Sequence, residues 1–144
     1  MLKGIPNILS PELLKILMEM GHGDELVIGD GNFPAASMAQ RLVRCDGHNV
    51  PELLDAILKL YPLDAFVEAP VSLMQVVPGK VVETSIWDIY KEIIKKYEPI
   101  NNKIEEVERF AFYERAKKAY VIVATGEKAL YANIILKKGV VIEK

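Results

Sequence analysis

The chain has 144 residues, 51% hydrophobic and 26% charged, which suits one domain, residues 1–144, with a sizeable buried core. Its 18 basic and 20 acidic residues are well mixed and leave a net charge of -2, so no broad basic field exists to attract nucleic acid, which is not an expected partner. No apolar run approaches the ~20 residues that cross a bilayer, Pro6 and Pro11 break the opening segment, and one cysteine with two histidines offers neither a disulfide nor a zinc-site spacing; a cytoplasmic protein with no membrane partner, no metal and no cofactor is expected.

In chain order, "SPELLKILMEMG" predicts a helix with Ser10 as N-cap, Pro11 at the first position, Glu12 in the first turn and Gly21 as its stop. "ELVIGD" reads as a short buried strand, "GNFP" as its turn, and "MAQRLVRCDG" as a short helix and a strand running into a turn at Asp46 and Gly47. "VPELLDAILKLYP" predicts a helix ended by Pro62, and "SLMQVVPG" a strand closed by Pro78 and Gly79. "TSIWDIYKEIIKKYEP" predicts a helix with Thr84 or Ser85 as cap and an apolar stripe at Ile86, Ile89, Ile93 and Ile94. "ERFAFYERAKKA" reads as helical, and "YVIVATG" and "NIILKKGVVI" as strands. Alternating strands and helices predict an α/β fold, a three-layer α/β/α sandwich around a mainly parallel sheet, with ligands at the carboxyl ends of its strands.

Asp30 falls at such an end, although an aspartate before glycine is also a routine turn residue. His22, framed by Gly21 and Gly23, has two readings: a cap on the carbonyl end of the first helix, or a proton-transfer group with room for a ligand. Together, His22 and Asp30 would supply the minimum for general acid–base work on a small polar ligand. Arg109 and Tyr113 share one face if the helix includes Arg109, beside a core stripe of Phe112, Ala116 and Ala119; a snorkelling cation and a half-buried ring explain them equally well. Tyr131 and Asn133 alternate onto one face of an extended segment. Cys45 reads as buried and inert, Trp87 as core, and His48 as an exposed loop residue.

The segments "LSPELLKILMEMGHGDELVIGDGNFP", "VRCDG", "RFAFYERA" and "GEKALYANIILKKGV" together resemble the L-fucose mutarotase family, sister to the D-ribose pyranases, over nearly the whole chain. The resemblance implies a three-layer fold, homo-oligomers that include decameric rings, and cofactor-free interconversion of α and β sugar anomers. It further implies that His22 is the proton donor, Asp30 and Arg109 hold the sugar, and Tyr131, Ala132 and Asn133 form a terminal sugar-contacting motif. Tyr113 is implied as a second proton relay or an apolar wall. The "YAN" spelling, where fucose members often have "YGN", keeps D-ribose pyranase as an alternative, and a non-catalytic sugar-binding accessory is the third reading. Asp30 ends its strand whereas Tyr131 and Asn133 begin theirs, so a mainly parallel sheet would set them at opposite edges. The expectation is a head-to-tail oligomer in which the terminal segment of one protomer faces the His22 and Asp30 edge of the next.

Overall fold

The computed structural model describes residues 1–143. Ser10 caps the first helix, α1 (Pro11–Glu19), by accepting from the Leu13 N–H, and Pro11 occupies its first turn. It is followed by β1 (Glu25–Gly29), a short α2 (Ala35–Met38), β2 (Leu42–Cys45) and α3 (Val50–Leu58). Glu52 and Asn49 close a capping box at the start of α3. The second half holds β3 (Val71–Met74), α4 (Ser85–Tyr97), β4 (Ile104–Val107), α5 (Arg109–Lys118), β5 (Val121–Thr125) and β6 (Ile134–Lys137).

The strands form one sheet in the order β2-β5-β1-β6-β3-β4. β1 runs parallel to β5, β5 to β2, and β3 to β4, while β6 runs antiparallel to both of its neighbours, β1 and β3. Five strands therefore point one way and β6 alone points back, in the middle of the sheet. Period-two alternation splits each central strand between two faces. Leu26 and Ile28 pack with Leu13, Leu53, Ile57, Tyr90 and Ile94 of α1, α3 and α4, whereas Val27 and Ile122 pack with Ala35, Phe112 and Ala116 of α2 and α5. The helices thus cover both faces, giving three layers.

Several elements differ from their sequence expectation. α2 begins at Ala35, directly after the "GNFP" turn. β4, "IEEV", carried no strand signal because it is an edge strand, paired only with β3, with Glu105 and Glu106 exposed. β3 stops at Met74, and residues 75–84 run on as a loop that turns at Gly79, φ 86°. β6 ends at Lys137, and the tail from Val140 to Ile142 is exposed. On α4, Ile89 faces solvent and Tyr90 takes its place in the core, fully buried between Ile86 and Ile94.

Polar groups tie α5 across the sheet. Arg115 Nη2 donates to Glu25 on β1 at 2.5 Å, and its Nη1 to Glu105 on β4 at 2.7 Å and to Ser72 on β3 at 3.0 Å. Ser72 is fully buried and Arg115 and Glu25 are largely so, which places this network between the strong cost of breaking a buried ion pair and the small worth of a surface one. Arg115→Met keeps the aliphatic stem but leaves both carboxylates unpaired. It is expected to cost about 2 kcal/mol, read as a lower urea midpoint at unchanged slope; an unchanged midpoint would remove the network from the account of stability.

Candidate functional site

With five strands aligned, their carboxyl ends share one edge of the sheet, and the reversal of β6 brings its amino end to the same edge. Asp30, just past β1, therefore meets Asn133, just before β6, inside one subunit: the Asp30 N–H donates to Asn133 Oδ1 at 2.8 Å. This corrects the expectation that Asp30 and the Tyr131–Asn133 segment lie at opposite edges, which treated β6 as one of the parallel strands. The bond also fixes the Asn133 amide, turning its NH2 group away from Asp30 as a donor.

Asp30 Oδ1 accepts from the Asn32 N–H at 3.0 Å, and the carboxyl group is buried. Burial pushes its pKa above the ordinary aspartate value; the backbone N–H groups of Asn32, Ala132 and Phe33 pull the other way, and nearby Glu127 adds to the upward push. Arg109 and Tyr113 stand on the first turns of α5, which begins at Arg109 because the Glu108 side chain caps it by accepting from Ala111 N–H. Together with Asn32, Phe33, Met74, Leu130 and Tyr131 they complete the walls of a shallow cavity of about 160 Å³ around Asp30 and Asn133. Arg109 Nε is buried with no hydrogen-bond partner among the described residues, a costly state that a ligand acceptor would relieve. The Tyr113 ring packs against Phe33 and Phe110 at centroid distances of 5.9 and 6.4 Å. Gly29 is required here, because a Cβ on it would come within 2.8 Å of Phe33 Cβ. Ala132 differs from its neighbours. Its side chain is fully buried in the core beneath α4, so it reaches the site through its backbone.

His22 is not in this cavity. It precedes β1 whereas Asp30 follows it, and five residues of strand at ~3.3 Å each put about 16 Å between the two ends. The expected pairing of His22 with Asp30 within one chain is therefore overturned. Nor does His22 cap α1: Lys138 Nζ does so, donating to the carbonyls of Leu17 and Met20. The exposed imidazole instead meets Asp64, with Nε2 3.0 Å from Oδ1, and lies against Phe66 at a centroid distance of 5.3 Å. Asp64 Oδ1 also accepts from the Phe66 N–H at 2.9 Å. Burial is the largest single influence on the Asp64 carboxyl and raises its pKa, but the Phe66 N–H and the His22 ring together outweigh it and hold the group below its usual value. Sequence reasoning passed over Asp64 because an acid in "YPLDAF" looks like any loop residue; only β6, whose Lys137 carbonyl accepts from the Asp64 N–H, brings that loop to His22.

Larger hollows of about 570 and 440 Å³ lie where the N-terminal segment crosses the helices. Neither includes a residue of these two clusters, and the second is lined mostly by Leu2, Ile5, Leu14, Leu17, Met18 and Leu60.

A parallel sheet interrupted by one reversed strand, with a polar cavity at its carboxyl edge, defines a small α/β ligand-binding protein. The chain belongs to the RbsD / FucU transport protein family, whose pattern it matches over residues 3–141. It is 54% identical to an L-fucose mutarotase of Actinobacillus pleuropneumoniae over 140 residues, 97% of each chain, and 50% identical to the human fucose mutarotase over 145 residues, 96% of this chain and 94% of that one. The crystal structure of the fucose mutarotase from Streptococcus pneumoniae in complex with L-fucose is similar with a TM-score of 0.93 and 56% identity, covering 98% of this chain and all of that one. Bacillus subtilis RbsD complexed with D-ribose, at 22% identity and a TM-score of 0.75, shares the fold.

Because burial raises the Asp30 pKa, its ionised form is disfavoured in the fold. That destabilisation sets in as pH rises from the unfolded pKa through the folded one and persists above it. Asp30→Asn, which keeps an acceptor for the Asn32 N–H, is expected to unfold at a higher temperature than the parent at neutral pH, the two curves converging in acid. A variant less stable at pH 7 would show that the carboxylate's hydrogen bonds outweigh its burial.

Proposed function

We propose that the protein interconverts the α and β anomers of L-fucose by cofactor-free general acid–base catalysis, with each active site assembled from two copies of the chain. The observation that carries this reading is the cavity in which Asp30, Asn133, Arg109, Tyr113 and Tyr131 converge, in a chain half identical to L-fucose mutarotases along almost its full length. Anomer exchange needs a proton removed from the anomeric hydroxyl, a proton delivered to the ring oxygen, rotation of the freed aldehyde, and closure in the reverse sense. No oxidation state changes. Asp30, the Asn133 NH2 and Arg109 are suited to hold sugar hydroxyls, and the Tyr113 ring forms one wall while its hydroxyl offers a second proton relay.

The remaining proton group is His22, with Asp64 behind it to orient the ring. His22 lies at the far edge of its own sheet, so it serves the cavity of a neighbouring copy. Two features favour that arrangement. The cavity, at about 160 Å³, and an adjoining hollow of about 260 Å³ that shares Asp30, Phe33 and Pro34 with it each fall below the ~300 Å³ at which ligand pockets commonly begin. Exposed apolar side chains stand on both edges, Phe66 beside His22, and Phe110 and Leu130 beside the cavity. A contact that joins one edge to the other is head-to-tail and closes into a ring, for which a decamer is one size. The single half-buried cysteine and the absence, among the described residues, of any helix long and apolar enough to span a membrane fit work on free sugar in the cytoplasm.

Ala132 does not favour the ribose alternative: its methyl group points into the core and does not line the cavity, so the "YAN" spelling makes no contact there with a sugar.

The test is saturation transfer between the anomeric protons of L-fucose. Catalytic amounts of protein are expected to speed transfer well above its buffer rate, and His22→Gln to slow it by ~10²-fold with sugar affinity little changed. Transfer at the buffer rate with both L-fucose and D-ribose would leave only a binding protein, and faster pyranose–furanose exchange of ribose would reassign the substrate.

A further inference from the structure

Tyr131 has a φ of 53°, the one non-glycine residue in the left-handed region among those described. That conformation is disfavoured for a bulky side chain and persists only where its surroundings impose it. Two donors from one face of α4, three residues apart, supply the constraint: Trp87 Nε1–H donates to the Tyr131 carbonyl at 2.8 Å and Tyr90 O–H to the Ala132 carbonyl at 2.7 Å. The Tyr131 hydroxyl accepts from the Val77 N–H at 3.3 Å, and one residue past Ala132 the Asn133 side chain receives the Asp30 N–H.

We propose that Trp87 and Tyr90 are positioning residues, whose two hydrogen bonds to consecutive carbonyls hold the 131–133 turn in the one conformation that presents Tyr131 and Asn133 to the sugar. The proposal rests on the reading of the cavity as a sugar site. Without these bonds the turn relaxes toward negative φ at Tyr131, which swings that side chain from the cavity wall and loosens Asn133 from Asp30. Neither α4 residue lines the cavity, so both act through the turn. Tyr90 is suited to the task because its phenol is fully buried; burial above all, with Glu127 and Asp30 nearby, pushes its pKa far above the ordinary tyrosine value, so it stays a donor throughout the working range.

Trp87→Phe and Tyr90→Phe delete each bond while keeping an aromatic ring. Each is expected to raise the KM for L-fucose about tenfold, with a smaller fall in kcat, because losing a hydrogen bond to the part-buried Tyr131 carbonyl or the buried Ala132 carbonyl misplaces binding groups while His22 is untouched. Thermal unfolding measured beside the kinetics separates this from a purely structural role, which would lower the melting temperature and leave both constants of the folded protein unchanged. A second measurement needs no variant: Trp87 is the chain's single tryptophan, so its emission is expected to change with added L-fucose and to saturate at the same concentration as binding. Active wild type with unaltered constants in both variants, or with emission indifferent to saturating sugar, overturns this proposal alone. A wild type that exchanges no anomers overturns the functional reading and this proposal with it.

Discussion

The antiparallel course of β6 through the centre of an otherwise parallel sheet decides where every polar group of the cavity stands. Were β6 parallel to β1, Asn133 would lie an entire strand length from Asp30, and the hydrogen bond between them could not form. Reversed, it sets the amino end of β6 against the carboxyl ends of β1 and β3, where Met74 and the α5 residues Arg109 and Tyr113 complete the enclosure. The same reversal carries Lys137 and Lys138 to the opposite edge, where Lys138 caps α1 and the Lys137 carbonyl fastens the loop of Asp64. One choice of strand direction thereby builds two polar clusters and keeps them apart.

The cavity at the carboxyl edge holds groups in costly states. Asp30 is a buried carboxyl near a second buried carboxyl, Glu127, and Arg109 Nε has no partner within the described chain. Tyr131 sits in a strained backbone well. These features concentrate around one small cavity while the rest of the sheet is close to ordinary, a distribution characteristic of sites prepared for a ligand. The cost is borne by the core beneath α4 and by the hydrogen bonds of Trp87 and Tyr90, so the packing of that helix and the geometry of the cavity are one problem.

Much of the architecture was legible because local physics and tertiary structure agree. Ser10 and Pro11 start α1 as their chemistry dictates, and the apolar runs of β1 and β5 are fully buried central strands. The family membership was equally legible, from motifs spread along the chain. β4 escaped notice because an edge strand with two exposed glutamates lacks the apolar alternation of a buried one. Ile89 has the apolarity of a core residue yet faces solvent, whereas Tyr90 can be buried because its hydroxyl donates to the Ala132 carbonyl. The geometry of the site was the least legible, since strand direction leaves no trace in composition or periodicity. Arg109 and Tyr113 share a helical face as their spacing implies, but the complementary chemistry of His22 and Asp30 says nothing of the strand that separates them, and Asp64, 42 residues from His22, carries no sequence signal.

The central claim is that catalysis requires His22 of one copy at the Asp30 and Asn133 cavity of another. It is tested most directly by dissociating and reassembling a mixture of two inactive proteins, His22→Gln and Asn133→Ala. Random mixing leaves roughly a quarter of the interfaces with both residues intact, so L-fucose anomer exchange is predicted to return to about that fraction of the wild-type rate. Mixed assemblies that form and remain inactive, or a wild type fully active as a monomer, would contradict it.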